Sequence, residues 1–155
     1  MQDHISTYLG PFIIEDKKSF LIDRDIKALS FAQFGLKGQG VLTTSGGQAS
    51  AYITSSYAKS RGEVTWPDIQ ITLAGLAVHE TFASDVARAF NINKDAATAY
   101  YNESVGKDSF LLIPSVGRPW ARGEILLKDS DPKSAPLVDP RYLEHDEDFL
   151  VLLEG

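Results

Sequence analysis

The clearest local pattern in the chain is the alternation of apolar and polar side chains over Ile69–Leu73, which predicts a strand with one buried face. A second strand is predicted over Gln48–Tyr57, a segment rich in small, aromatic and β-branched residues. The same alternation places Tyr52, Thr54 and Ser56 on one side of that strand. These two segments are expected to belong to one sheet.

Short continuous apolar runs indicate further strands. Phe12–Ile14 and Phe20–Ile22 suit strands or extended segments, although their period alone does not distinguish them from buried helix. Phe110–Pro114 and Glu124–Leu127 are separated by a turn-rich segment, so we expect two strands that pair as antiparallel neighbours.

Apolar residues at helical spacing predict helices in four segments. These cover Asp25–Phe34, Val78–Ala89, Lys94–Tyr101 and Arg141–Leu153. The first is expected to end in a flexible turn at Gly35, Gly38 and Gly40. The proline-rich segment Asp129–Pro140 is expected to form a loop. Strands and helices at unequal intervals, without a βαβ repeat, predict an α+β fold.

Composition restricts the classes of function. With 155 residues, 43% of them apolar, the chain is long enough for one domain with its own core. Its formal charge of −6 argues against a nucleic-acid or anionic-membrane partner. The absence of cysteine excludes disulfides, thiol nucleophiles and thiolate metal sites. No apolar run reaches the length of a membrane span, and the first residues lack the basic segment and the long apolar core of a signal peptide.

The residues that carry chemistry do not form a known catalytic motif. His4, His79 and His145 lie far apart and lack a second ligand at metal-binding spacing. Asp3 and His4 could form half of an acid–base pair, but without a nucleophile motif a structural role is favoured. The acidic run after His145 suits a helix start, where carboxylates stabilise the positive end of the dipole. The glycines lack both phosphate-binding spacings, G-x-G-x-x-G and G-x-x-x-x-G-K-[ST], so no nucleotide cradle is predicted.

Several segments, taken in order, resemble the glucose-methanol-choline (GMC) oxidoreductases, flavin enzymes that oxidise alcohols and sugars. Met1–His4 resembles the end of the family's N-L-Q-D-H, and Gly38–Thr43 resembles G-x-G-P-L-T with valine for proline. Trp66–Gln70 resembles the W-P-D-I-Q of the insect glucose-dehydrogenase-like branch. Arg118–Ile125 resembles R-P-K-S-R-G-x-I, and Pro136–Leu143 resembles P-x-I-D-P-x-Y-L. Together these segments span almost the whole chain.

The resemblance implies that residues 1–155 are a single substrate-binding domain fragment, with a mostly antiparallel sheet of about five to six strands backed by helices. It also implies that the flavin fingerprint precedes this segment and that the catalytic histidine follows it. Hydride would pass from an alcohol carbon to flavin N5 in the parent enzyme. The parent would use FAD, which this fragment alone is not expected to bind. Two departures leave turn hydrogen bonds in question, because Ala121 replaces a usual serine and Gln48 a frequent glutamate.

By the same resemblance this segment forms the far wall of the substrate pocket, and it contributes Ile113, Ser115 and Gln70. Against this, Ile113 could be ordinary core and Gln70 an ordinary solvated position on a strand. The expected partners are a small-molecule alcohol or sugar and the FAD-binding domain of the same parent chain, with neither nucleic acid nor a membrane span. An extracellular location is compatible with the family resemblance.

Two alternatives remain for the function. The segment could be a stand-alone module that binds a small ligand or a protein through the sheet face that a flavin domain would otherwise cover. It could also be a truncated product without activity.

Overall fold

The computed structural model describes residues 1–155 and contains six strands and six α-helices. The strands are β1 (Leu9–Ile13), β2 (Gly47–Ile53), β3 (Ile69–Ala74), β4 (Ser109–Val116), β5 (Glu124–Leu126) and β6 (Leu137–Asp139). The helices are α1 (Ile22–Asp25), α2 (Ala28–Lys37), α3 (Ser56–Ser60), α4 (Phe82–Phe90), α5 (Lys94–Tyr101) and α6 (Asp146–Glu154). Four strands form one sheet in the order β1-β4-β3-β2, and β5 and β6 form a second sheet. The predicted α+β fold is confirmed.

The pairing partners of β4 and β5 differ from the prediction. β4 lies between β1 and β3, and β1 pairs with β4 in antiparallel register. β5 pairs with β6, so the expected pairing of Glu124–Leu127 with Phe110–Pro114 is wrong. β6 itself lies within the segment predicted as a loop. Gly123 permits the close approach of β5 and β6, because a Cβ there would overlap the carbonyl oxygen of Asp139.

Two predicted strands are interrupted by helices. The segment Phe20–Ile22 makes only one isolated bridge, between Phe20 and Leu76, and α1 begins at Ile22. The strand predicted over Gln48–Tyr57 ends at Ile53 because Ser55 starts a helix: its hydroxyl accepts a hydrogen bond from the backbone N–H of Ala58 at 3.0 Å. By contrast, β3 and α5 occupy the predicted segments.

The end of α2 and the start of α6 are set by residues in the left-handed backbone conformation. Gly35 lies inside α2, and the helix ends at Lys37 because Gly38 adopts a left-handed conformation (φ 60°) that glycine tolerates. Arg141 and Leu143 also have positive φ, so the last helix begins at Asp146 instead of Arg141. Its first turn carries three carboxylates, as predicted for a helix start after His145.

The chain divides into two compact units. The terminal unit comprises Met1–Tyr8, Ser50–Ile71 and Ile113–Gly155, and the middle unit comprises Leu9–Ala49 and Thr72–Leu112. The expectation of a single domain over 1–155 stays a prediction.

The core of the terminal unit lies between the sheet and α6. Ile69 of β3, Val116 of β4 and Val151 of α6 are each at most 3% exposed. Ile5, Tyr57, Ile71 and Leu152 pack around them. Burial of these side chains fixes α6 against one face of the sheet.

The middle unit has its own core around α4 and α5. Phe82 meets Tyr101 edge to face at 5.0 Å between ring centroids, and both side chains are buried. Near its first helix, Arg24 donates to Asp108 at 2.6 Å and to Asp25 at 2.7 Å. The hydrogen bond from Arg24 lowers the pKa of the Asp108 carboxyl. None of the helices combines the length and the apolar character that crossing a membrane requires.

The buried carboxylate of Asp148 gives a stability prediction. Its two oxygens accept hydrogen bonds from the backbone N–H groups of Trp120 at 2.7 Å and Ala121 at 2.9 Å, and the residue is 1% exposed. Asp148→Ala should lower the free energy of unfolding by about 2–3 kcal/mol, because it leaves both N–H groups without their acceptor. Denaturant unfolding measures the change.

Asp146→Ala is the matched control, since it removes a carboxylate from the same helical turn at an exposed position. An equal effect of the two substitutions would contradict the role assigned to Asp148 and would point to the helix dipole instead.

Candidate functional site

Two predicted site residues project from the face of the sheet that α6 does not cover. Ile69 and Val116 point toward α6. Because successive side chains on a strand point to opposite faces, their neighbours Gln70 and Ser115 point away from it. Both are half-buried. The sheet of the terminal unit therefore has one packed face and one polar face.

The polar face carries a cavity of about 430 Å³. It is lined by His4, Tyr52, Trp66, Pro67, Asp68, Ile69, Gln70, Ser115, Gly117 and Arg118. All of these residues belong to the terminal unit. Ile113 is half-buried and lies two residues before Ser115 on β4, but it does not line this cavity. The structure thus brings Gln70 and Ser115 together and leaves Ile113 outside the group.

Arg118 holds the segment that precedes β3 in place. Its guanidinium donates to the backbone oxygens of Trp66 at 2.9 Å and Pro67 at 3.1 Å. It also donates to Glu63 at 2.7 Å and lies 4.6 Å from the centroid of the Trp66 ring. A planar group with several fixed donors can make all of these contacts at once, which a lysine could not. Arg118 thereby fixes one rim of the cavity.

The carboxylate of Asp68 is committed to the structure beneath the cavity. It is 4% exposed and accepts the backbone N–H of Ser55 at 2.7 Å and the Ser55 hydroxyl at 2.6 Å. The backbone N–H of Gly117 donates to the carbonyl oxygen of Asp68 at 2.7 Å. These bonds connect β3 with the start of α3 and with the end of β4, so Asp68 supports the site without offering a free acid or base.

His4 and Asp3 make structural contacts, in agreement with the sequence analysis. Nδ1 of His4 lies 2.9 Å from the carbonyl oxygen of Val116. Asp3 accepts the hydroxyl of Tyr142 and the backbone N–H of His4, and the Tyr142 bond lowers the pKa of this carboxyl. Gln2 donates to the carbonyl oxygen of Pro119 at 2.7 Å.

Four of the five segments that carry the family resemblance belong to the terminal unit; these are the family-like segments. They are Met1–His4, Trp66–Gln70, Arg118–Ile125 and Pro136–Leu143. The fifth, Gly38–Thr43, belongs to the middle unit.

The residues of the chain do not fit the pyrophosphate of FAD. Such a cradle needs glycines between a strand and the N-terminus of a helix. Gly38 instead ends α2, and only the three-residue 3-10 turn Val41–Thr43 follows.

Ala121 and Gln48, the two residues that depart from the family pattern, both make local hydrogen bonds. Ala121 bonds to Asp148 through its backbone N–H, which does not depend on the side chain. Gln48 accepts the backbone N–H of Gly75 at 2.6 Å and donates to Thr44 at 3.1 Å. An amide can do both, whereas an ionised glutamate only accepts.

Sequence reasoning missed three contributors to the cavity. Trp66 and Arg118 were recognised as motif residues, but their stacking joins segments more than fifty residues apart, which local spacing does not reveal. Tyr52 could have been found, because the alternation over β2 already placed it on one side of the strand.

The ion pair between Glu63 and Arg118 gives a pH prediction. The hydrogen bond from Arg118 holds the pKa of the Glu63 carboxyl below its ordinary value of 4.5. The folded protein binds this proton less tightly than the unfolded chain, so the stabilisation is complete above pH 4.5 and is lost as the pH falls through the lower, folded-state pKa. Glu63→Gln should therefore weaken the acid-induced loss of stability below pH 4.5, measured by denaturant unfolding at each pH.

The exposed Glu103 provides a control, because Glu103→Gln removes an equal charge away from this contact. An unchanged pH profile for Glu63→Gln would contradict the assigned ion pair.

A comparison with protein-family profiles gave no match. Among curated proteins, the chain is similar to uncharacterised GMC-type oxidoreductases of Mycobacterium bovis and of two Mycobacterium tuberculosis strains. Each is 25% identical over 144 residues, which cover 91% of this chain and 21% of the relative. The chain thus spans about a fifth of the length of these relatives. The similarity supports a relationship of this chain to the GMC-type oxidoreductases.

Proposed function

We propose that the chain forms the substrate-binding wall of an FAD-dependent oxidoreductase that acts on the CH–OH group of a small alcohol or sugar. In this proposal Gln70 and Ser115 face the substrate, and Ile113 lies two residues before Ser115 on β4. FAD and the catalytic residues belong to another part of the parent protein, whose FAD-binding domain covers the polar sheet face. The 155 residues alone are expected to be inactive.

One observation carries the proposal: the cavity lies on the polar sheet face, in the unit where four family-like segments meet. A sheet with one packed face commonly leaves its other face to solvent. A volume of about 430 Å³ is within the range of small-molecule sites. Tyr52 is 66% exposed at its edge, which suits a surface completed by another domain.

A stand-alone binding module is the second candidate, and the ribbon of β5 and β6 favours it. Ile125, Leu126, Leu137 and Val138 are each more than half exposed, so both faces of the ribbon present apolar side chains. A two-stranded ribbon gains stability when something covers such side chains. A separate protein partner could supply that cover, as could the FAD-binding domain.

The complete coding sequence around Met1 and Gly155 separates the two candidates. We expect an upstream strand–turn–helix unit with G-x-G-x-x-G and a downstream segment with the catalytic histidine. Absence of both would refute the oxidoreductase proposal and leave the binding module. As a companion measurement, the 155-residue chain with added FAD and an alcohol should show no turnover; clear turnover would contradict the division of roles.

Ser115→Leu tests the substrate wall in the flavin-containing protein. The larger apolar side chain fills part of the cavity and removes a hydroxyl, so KM should rise by about tenfold or more while the flavin absorbance spectrum stays unchanged. Steady-state kinetics give KM and kcat separately.

Ser60→Leu introduces the same change at an exposed position on α3 and should leave KM unaltered. If both variants behaved like the parent, Ser115 would not contact the substrate.

A further inference from the structure

A second cavity lies within the middle unit. Its volume is about 460 Å³, and every residue that lines it belongs to that unit. None of these residues lines the cavity of the terminal unit. The apolar part of its lining comes from Ile14, Phe20, Leu73 and Phe110. A concave space of this size with an apolar lining and a few polar groups is typical of a small-molecule site.

The backbone around this cavity is held by hydrogen bonds. The backbone N–H of Phe20 donates to the carbonyl oxygen of Gly75 at 2.8 Å, and that of Ile14 donates to the carbonyl oxygen of Asp108 at 2.9 Å. The ring of Phe110 stacks on Phe12 at 5.2 Å between ring centroids. The apolar lining is therefore preformed, so a ligand does not lose free energy by ordering it.

The hydroxyl of Ser109 lacks a hydrogen-bond partner in the protein. Ser109 lines the cavity, its side chain is 0% exposed, and its Oγ is the one buried side-chain nitrogen or oxygen atom without a partner. Burial of an unpaired hydroxyl costs free energy, and most buried polar side chains are paired. Rotation about the single χ1 torsion turns this hydroxyl without moving the backbone. A ligand in the cavity can therefore supply the missing acceptor.

The other neutral polar side chains of the lining are already engaged. The hydroxyl of Ser19 donates to Asp108 at 2.8 Å and accepts the backbone N–H of Ser109 at 3.0 Å. The amide of Gln48 is bonded through both its oxygen and its nitrogen. The ligand that fits this lining is therefore mainly apolar and carries one acceptor, opposite Ser109.

The charges around the cavity disfavour an ionic ligand. The ammonium of Lys18 contacts Asp16 at 2.5 Å, and the two side chains are 75% and 68% exposed. An anion would compete with Asp16 for an ammonium that water also solvates. A cation would find no carboxylate among the lining residues.

We propose that this cavity is an accessory binding site for a small neutral aromatic ketone. The aromatic ring packs against Phe20, Leu73 and Phe110, and the ketone oxygen accepts a hydrogen bond from the Ser109 hydroxyl. A ketone suits this donor because it only accepts, so it brings no further N–H or O–H group that would need a partner. The site uses residues of the middle unit alone and does not depend on the proposed function.

NMR titration of the 155-residue protein tests the site. The probes are acetophenone, ethylbenzene and sodium benzoate, of which the first two share a ring and differ by the carbonyl group. We expect acetophenone to shift the backbone amide signals of Ser109 and Phe110 saturably and to leave the indole N–H signal of Trp66, in the other cavity, unchanged. Benzoate should bind more weakly than acetophenone.

Removal of the hydroxyl gives the second measurement. Ser109→Ala should weaken acetophenone binding by about threefold to tenfold and change ethylbenzene binding by less than about twofold, because only the ketone bonds to the hydroxyl. The midpoint of denaturant unfolding should not fall, because this hydroxyl has no partner to lose in the free protein. Ser45→Ala is the matched control, since it removes an exposed hydroxyl outside the lining in the same unit, and it should bind as the parent does.

The opposite results overturn the inference. Absence of saturable acetophenone binding, or a shift centred on Trp66 instead of Ser109, would refute the site. Tighter binding of benzoate would refute the neutral class. Equal effects of Ser109→Ala on acetophenone and ethylbenzene, or a variant that is less stable than the parent, would refute the role of the hydroxyl. None of these results decides the proposed function, which depends on the flavin fingerprint in the complete coding sequence.

Discussion

The terminal unit depends on the buried carboxylate of Asp148. A single residue on the first turn of α6 receives two backbone N–H groups from the segment that follows β4. The same helix places Val151 against Ile69 and Val116, so hydrophobic packing and a charged hydrogen-bond acceptor fix one helix at two points. Because α6 covers one face of the sheet, it also determines which side chains of β3 and β4 point to the other face.

A second set of contacts converts this scaffold into a site. Asp148 fixes the backbone of Trp120 and Ala121, and two residues earlier Arg118 extends to the backbone of Trp66 and Pro67. The guanidinium uses planar, directional donors, so the segment before β3 is held in position as well as in proximity. Asp148 does not line the cavity, but Arg118, Trp66 and Pro67 do, so a substitution at Asp148 would affect the rim of the cavity through Arg118.

Much of the fold could be predicted from the local pattern of apolar and polar residues. The errors arise where the structure depends on backbone geometry that leaves no such pattern. The alternation over Ile69–Leu73 and the helical spacing over Lys94–Tyr101 correspond to β3 and α5, because burial on one side imposes these periods directly. The pairing of β5 with β6 was missed because it depends on the close approach at Gly123, which has no periodic signature. The late start of α6 was missed because it depends on the left-handed conformations of Arg141 and Leu143, which side-chain hydrophobicity does not encode.

The site could be predicted only in part, because the residues of the family motifs mainly hold the backbone and several lining residues lie outside those motifs. Among the motif residues, Arg118, Gly123 and Asp68 act on the backbone, through hydrogen bonds or close approach. Such contacts hold the backbone of this fold in place, so these residues identify the scaffold and not what the cavity binds. Tyr52 and Ser115 lie outside the family-like segments but line the cavity. The chemistry of the cavity is therefore set in part by lining residues that the motifs do not specify.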